Sequence, residues 1–395
     1  MSDYLNEDQR QLVDALARYL EREHPLPESG IWPEDVAHRA EASAHWSAFV
    51  NFGLTALTVD ENHGGIADDP LAVHAAMELF GRHLVTEPFV ASIVQGTWLL
   101  AATSDTSIKA DALLRRVLAG EARIALAHAE PQTDYTLHHI ESRAERIGDG
   151  WMLSGHKVDV AYAVQAERWL VLARTSGARL SQHGLSLFVV DPGTPGIRHR
   201  DYVNLDGSTG SEIWFEQVQL PSTSLIGEVH QAWLLFRQAC ARANAALCAE
   251  AVGAMLAVLD TTVAYAKERK QFGASIGSFQ AIQHRLVDMY MQLEKCRSLA
   301  QRASGLLAQK YDVEALAAVS AAKALCCQSA RNLCQSAIQL HGGIGMTDEL
   351  ALGKFVKRLM VISHTLGDEL HHVQQFAKFT PPTQAAPAAT AFLSH

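Results

Sequence analysis

The sequence predicts an α+β protein in three zones: an N-terminal helical domain (1–120), a central small β-barrel or sandwich (121–230) and a C-terminal four-helix bundle (231–380). A flexible tail (381–395), PPTQAAPAAT and onward, is expected to follow. Three observations carry this reading. Apolar residues recur at helical spacing at both ends of the chain. The middle switches to short β-like runs separated by Gly, Pro and Asp clusters. No helical stretch interrupts those runs, which favours an antiparallel barrel or sandwich over a parallel sheet.

Taken in order, Asn6 and Gln9 form a candidate capping box, and Leu12, Leu16 and Leu20 repeat behind it. Gly53–Gly65 interrupts the helices, and a long helical segment is expected from Asp69. The expected strands are Arg123–Ala127, Trp151–Ser154, Trp169–Ala173, Leu185–Val190 and Glu212–Leu220. The breaks between them are Gly148–Gly150, Asp191–Gly196 and Asp206–Gly210. Beyond Trp233 four helical patterns follow. Val252, Met255, Leu259 and Val263 mark the first, and Ile282, Leu286, Met289 and Leu293 the second. Ala318–Leu340 and Glu349–Phe376 are the others, and short connections make an antiparallel bundle the expected packing.

Composition narrows the function classes. Hydrophobic residues at 48% and charged residues at 19% describe a globular chain with a large core. A net charge of −10, with no basic stripe, argues against a nucleic-acid surface. No basic stretch followed by an apolar core opens the chain, and no apolar run nears the ~20 residues of a bilayer span. A cytoplasmic protein without a membrane span is the expectation. Cys240, Cys248, Cys296, Cys326, Cys327 and Cys334 fall in helix-like segments without a Cys-Xaa-Xaa-Cys pair, and read as buried small hydrophobes.

Several motifs stand out. YAKERKQFG (Tyr265–Gly273) is followed by Gly277–Gln280, and QLHGGIGMTDE (Gln339–Glu349) by an amphipathic helix and HTLGDELHH (His364–His372). GDGWMLSGHKVDVA (Gly148–Ala161) reads as a hairpin with Trp151 and Leu153 on one side. The Gly-rich turn has neither a preceding strand nor a following Lys-Ser/Thr, so it is neither a Rossmann fingerprint nor a P-loop. Together, these segments resemble the acyl-CoA dehydrogenase family across essentially the whole chain. Thr347 would cap the helix after the turn, with Asp348 and Glu349 in its first turn.

The resemblance implies FAD as cofactor and an acyl-CoA thioester as substrate. It places Arg269, Phe272, Gln280, Gln339, Gly342 and Gly343, with Gly345, against the flavin bound by a neighbouring subunit. Arginine suits a pyrophosphate through its paired donors. Around the chain's own flavin the resemblance is weaker. Asp159 and Ala161 stand where the family often has an aromatic and a hydroxyl residue, and HAEPQTDY (His128–Tyr135) lacks the family's Gly and Ser. The family's catalytic Glu occupies one of two places. Leu366 stands at one and Ala243 at the other, with Asn244 where the family usually has Arg. A hydrocarbon takes no proton.

Asp368 and Glu369 lie close by and are the candidate replacement bases; they read equally as acids stabilised at a helix N-terminus. His364, His371 and His372 make no metal site in this reading, since adjacent helical residues point roughly 100° apart. A chain with its partner-facing contacts kept and no base resembles the smaller, non-catalytic subunit of heterotetrameric steroid side-chain or pimeloyl-CoA type dehydrogenases. That implies a second dehydrogenase subunit, and an electron-transfer flavoprotein or similar acceptor. Two other readings stay open: a self-sufficient dehydrogenase using Asp368 or Glu369, and a flavin-free structural paralogue.

Overall fold

The computed structural model describes residues 5–24 and 46–380, and the tail expected at 381–395 lies outside them. Helix α1 (Glu7–Glu23) begins with the capping box: the Gln9 amide donates to Asn6 Oδ1 at 2.9 Å and the Asn6 amide to Gln9 Oε1 at 2.8 Å. Leu16 and Leu20 are buried behind it, with Leu12 at their edge. Helix α2 (Trp46–Asn51) and a two-stranded pair, β1 (Thr58–Val59) with β2 (Ala67–Asp68), come next.

The long helix expected from Asp69 is instead several pieces: α3 (Pro70–His83), a π-helical stretch Phe89–Thr97, α4 (Trp98–Ser104) and α5 (Ile108–Leu118). Asp69 does cap α3, accepting the Leu71 and Ala72 amides at 3.0 Å. Leu84 then turns left-handed at φ 53, and Pro88, which has no amide to donate, separates α3 from the next piece.

The central unit is one eight-stranded sheet. It comprises β3 (Ile124–Ala127), β4 (Arg143–Ile147), β5 (Gly150–Ala161), β6 (Arg168–Arg174), β7 (Leu185–Val190), β8 (Ile197–Val203), β9 (Thr209–Leu220) and β10 (Leu225–Ile226). The strand order is β10-β7-β6-β4-β5-β9-β8, with β3 also on β6. Pairing is antiparallel except that β3 and β4 run parallel to β6. β4 and β8 were missed because RAERI and IRHRDYV are rich in charged and polar residues. Trp151, Leu153, Trp169, Phe188 and Phe215 fill the inner core. Leu170, Leu172, Leu187 and Val189 face the other way, onto the N-terminal helices. That alternation is the period-two signature of strands buried on both faces.

The bundle has α6 (Ala232–Glu268), α7 (Gln280–Gln309) and α8 (Val313–His341). The fourth segment, expected across Glu349–Phe376, is two helices: α9 (Leu352–His364) and α10 (Glu369–Phe379). The break lies at Leu366 (φ 57) and Gly367 (φ 120), both left-handed. Thr347 caps no helix: its hydroxyl accepts the Glu349 amide in a local turn, and α9 starts only at Leu352. Helices α3 and α6 cross in backbone contact. A Cβ on Gly253 would sit 1.8 Å from Glu78 O, and one on Gly81 would sit 1.9 Å from Glu250 O. Helix α6 also corrects the expectation that no apolar run approaches a span: it is long and apolar enough to cross a membrane. However, 78% of that apolar window is buried inside the protein, where it forms the core of the bundle.

Candidate active-site cleft and cofactor half-site

The turn between α9 and α10 is held by side chains from three helices. Lys323, on α8 and wholly buried, donates to Thr365 O at 2.7 Å and to Gly367 O at 2.8 Å. Leu366 O takes Asn244 Nδ2 from α6 at 3.5 Å and His372 Nε2 from α10 at 3.1 Å. Burial pushes His372 down to about 3, with Lys323 the next cause, so the imidazole is neutral. A carbonyl only accepts, which puts the ring proton on Nε2. Burial also lowers Lys323 below the ordinary lysine value. A leucine in the left-handed region costs about 1–2 kcal/mol, and these buried bonds hold it there. The Leu366 side chain is half-buried against both the N-terminal core and the bundle core. Ala243 is fully buried on α6. Both places where the resemblance puts a base are therefore filled by hydrocarbon.

The two neighbouring carboxylates are engaged. Asp368 is the N-cap of α10, accepting the His371 amide at 2.8 Å. Glu369 pairs with Arg331 at 2.7 Å and takes Gln328 Nε2 at 3.2 Å. His371 lies against the Tyr135 ring, 5.6 Å between centroids, across the junction of bundle and β domain.

On the β-domain side, Glu130 organises the 128–142 loop. Its carboxylate takes Lys157 Nζ at 2.7 Å and the Glu141 and Ser142 amides at 2.7 and 3.0 Å. Burial works to raise Glu130, but Lys157 and these hydrogen bonds override it and bring the group down to about 2. At the end of β5 the register slips between Lys157 and Val160, and Asp159 takes φ 51. Val160 enters the barrel core, leaving Asp159 and Ala161 on the outer face. Surrounding protein raises the Asp159 carboxyl, and Asp206 adds to the effect. Below it, Arg358 of α9 grips Glu250 at 2.5 and 2.8 Å and Asp206 at 2.7 Å, beside the Tyr162 phenol that burial pushes up.

At the far end of the bundle lies a different surface. The Tyr265 ring stacks on His341 with centroids 4.4 Å apart, joining the C-terminal ends of α6 and α8. Arg269 follows α6 and is exposed; its backbone bonds Tyr265 O and the Ile276 amide, but its guanidinium has no hydrogen bond or ion pair among the described residues. Phe272 tips a hairpin of β11 (Lys270–Gln271) and β12 (Ala274–Ser275) at φ 52 and is 94% exposed. Gln280 opens α7, and Gln339 lies on the last turn of α8; both are exposed. Added Cβ atoms on Gly342 and Gly343 would meet nothing within 4 Å, so these glycines leave open backbone rather than relieve crowding. Gly345, by contrast, is buried against His341.

An adenine dinucleotide fits this second surface: an uncommitted guanidinium, an exposed ring and open loop backbone match a pyrophosphate and an adenosine. The cleft between β domain and bundle does not fit its pyrophosphate. Asp134, Asp159 and Asp368 surround Tyr135 and His371. Of the cations here, Lys323 and Arg358 are already taken by carbonyls and by Glu250 with Asp206, and Lys378 near the end of α10 is exposed to solvent. Sequence reasoning missed the roles of Lys323 and Arg358 and weighed His372 only as a metal ligand, not as a clamp on Leu366 O. A lone lysine inside the Ala- and Cys-rich run of α8 was the one visible signal.

Comparison with known proteins agrees with this architecture. The acyl-CoA dehydrogenase C-terminal domain family matches residues 233–379, and the middle-domain family matches residues 125–218. The human mitochondrial short-chain specific acyl-CoA dehydrogenase is 30% identical over 302 residues, covering 75% of this chain and 73% of that protein. The caffeyl-CoA reductase-Etf complex subunit CarC of Acetobacterium woodii is 26% identical over 382 residues, covering 93% and 96%. Among solved structures, the FAD complex of PigA superposes with a TM-score of 0.85 at 24% identity, covering 96% of this chain and 98% of that one. The ChsE4-ChsE5 complex from Mycobacterium tuberculosis superposes with a TM-score of 0.83 at 19% identity, covering 98% and 100%. At these identities the two structures establish the fold.

Proposed function

The chain belongs to the acyl-CoA dehydrogenase family, and on that premise we propose that it is a subunit of an FAD-dependent acyl-CoA dehydrogenase whose base is carried by another chain. The reaction is α,β-desaturation of an acyl-CoA thioester. Bound FAD supplies the acceptor for the β-hydride. The α-proton needs a carboxylate of matched pKa. The observation carrying the proposal is Leu366: a hydrocarbon fixed in a left-handed turn by Lys323, Asn244 and His372, with Ala243 buried at the other family position.

Arg269, Phe272, Gln280, Gln339, Gly342 and Gly343 are the residues we assign to the partner's FAD. Their exposure, the open backbone at Gly342 and Gly343 and the unpaired Arg269 guanidinium support that role. The partner is then a second acyl-CoA dehydrogenase chain, in a heterotetramer as the resemblance implies, with an electron-transfer flavoprotein or similar acceptor. One structural neighbour is the ChsE4-ChsE5 complex, and CarC is by name a subunit of a caffeyl-CoA reductase-Etf complex. A steroid side chain or another bulky acyl group is the substrate class we favour. The self-sufficient alternative would need Asp368 or Glu369, and the α10 cap and the Arg331 pair speak against either.

Co-expression tests the proposal. With the correct partner the complex should be yellow and active, and Arg269→Ala should lower its flavin occupancy. A yellow, active preparation of this chain alone would overturn it. Unchanged occupancy in Arg269→Ala would favour the flavin-free scaffold.

A further inference from the structure

The outer face of the β domain holds an arrangement that the functional assignment above does not use. Tyr202 on β8, Gly210 on β9 and Ala161 on β5 are directly opposed in the sheet, so they form one row across three strands on one face. Val160, next along β5, points into the inner core of the β domain, which assigns the row to the outside. The Tyr202 ring does not stand up from β8. It lies over Gly210: a Cβ there would meet its Cε2, Cζ and Oη atoms at 2.6, 2.9 and 3.0 Å. Asp159, at the bulge in β5, lies near enough that its charge adds to burial in raising the Tyr202 phenol, so the ring reaches from β8 toward that bulge. Asp159 and Ala161 are the positions where the resemblance expects the residues beside the flavin ring.

We propose that Tyr202 covers this chain's own cofactor face, occupying the part of the sheet against which an isoalloxazine-type ring would stack. The inference rests on the proposed function and deepens it by saying what became of the second flavin site. Three devices act together. The ring lies flat on the sheet, packed over Gly210. Gly210 permits that position, since any side chain there would lift the ring away. The surrounding carboxylates Asp134, Asp159 and Asp368 oppose a pyrophosphate independently of the ring. Flavin binding is then left to the partner-facing surface around Arg269.

The test uses the full chain without a partner and two probes read by fluorescence quenching: riboflavin, which has the ring and no phosphate, and FAD. Wild type should quench neither. Tyr202→Ala removes the cover, and Gly210→Ala displaces it from a different residue. Gly210 lies outside the left-handed region, so alanine there strains no backbone. Binding to a covered face is weakened by the fraction of time it is open, so both variants should tighten riboflavin binding by about tenfold or more. FAD should gain less, because the carboxylates remain. Tyr202→Phe keeps the ring and should stay closed. Circular dichroism and melting establish that each variant is folded. The proposal is overturned if both folded alanine variants bind riboflavin no better than wild type. It is equally overturned if wild type quenches riboflavin and Tyr202→Ala loses that quenching, which would make the ring a stacking platform. Failure of the proposed function reads separately, as a co-expressed complex without flavin.

Discussion

Replacing Lys323 with Met probes the turn that carries Leu366. Methionine has similar length and no charge, so the change removes two charge-assisted bonds, at 2.7 and 2.8 Å, to Thr365 O and Gly367 O. Bonds to a charged donor contribute about 1.5–3 kcal/mol each, and carbonyls left unmade in a dry site retain that cost. Against the loss stands relief of the ammonium's desolvation, several kcal/mol for a fully buried ion. The expected net destabilisation is about 2 kcal/mol, concentrated on the turn and on α10, whose anchor the turn is. That corresponds to roughly a 30-fold larger opening equilibrium. Hydrogen exchange read by mass spectrometry or NMR is the assay. Amides of Glu369–Phe379 should exchange faster by that factor, while strands β5 and β9 keep their protection. If the α10 amides exchange at the wild-type rate in Lys323→Met, the clamp is not what fixes Leu366, and the account of that turn is wrong.

Three further outcomes are expected. Gly253→Ala places a Cβ 1.8 Å from Glu78 O at the α3–α6 crossing, so the helices must separate. A loss above about 3 kcal/mol is expected in denaturant unfolding, and a variant within 1 kcal/mol of wild type would contradict the backbone contact. Asp368→Ala removes the α10 N-cap, at a cost of about 1 kcal/mol; turnover of the assembled complex should not change, and its collapse would revive Asp368 as base. Acid should destabilise the fold in two stages. His74 and His128, pushed down to about 4 mainly by burial, and His372, down to about 3, are neutral when folded. Their contribution is therefore complete above the ordinary histidine value of 6.5 and falls as pH drops from there toward 4, by about 1.4 kcal/mol per pH unit for each group. Glu130, held down at about 2, contributes fully above its ordinary value of 4.5 and loses that stability as pH falls toward 2. A melting temperature that stays flat from about pH 7 to 5 would show that the buried histidines do not titrate this way.

Much of the fold was readable because it rests on local patterns. The Asn6–Gln9 capping box, the Trp151 and Leu153 hairpin and the long apolar stripes of α6 and α7 follow from spacing alone, since each element must bury one face. Strands β4 and β8 escaped because charged and polar side chains break their apolar pattern and only their neighbours make them strands. The breaks at Leu84 and at Leu366-Gly367 escaped for a related reason: a leucine gives no warning that it will be held left-handed.

The sequence by itself determined which chemistry is missing. Leu366 and Ala243 carry no acid in any conformation, and Arg269 with the Gly-rich turn is what the proposal assigns to a dinucleotide. Tertiary structure decided where those groups look and what restrains them. Asn244 lies 122 residues from Leu366, yet it, Lys323 and His372 converge on that one turn. Tyr202 crosses Gly210 only because three strands align them. Side-chain identity is local information, whereas burial, hydrogen-bond commitment and access depend on contacts distant in the chain.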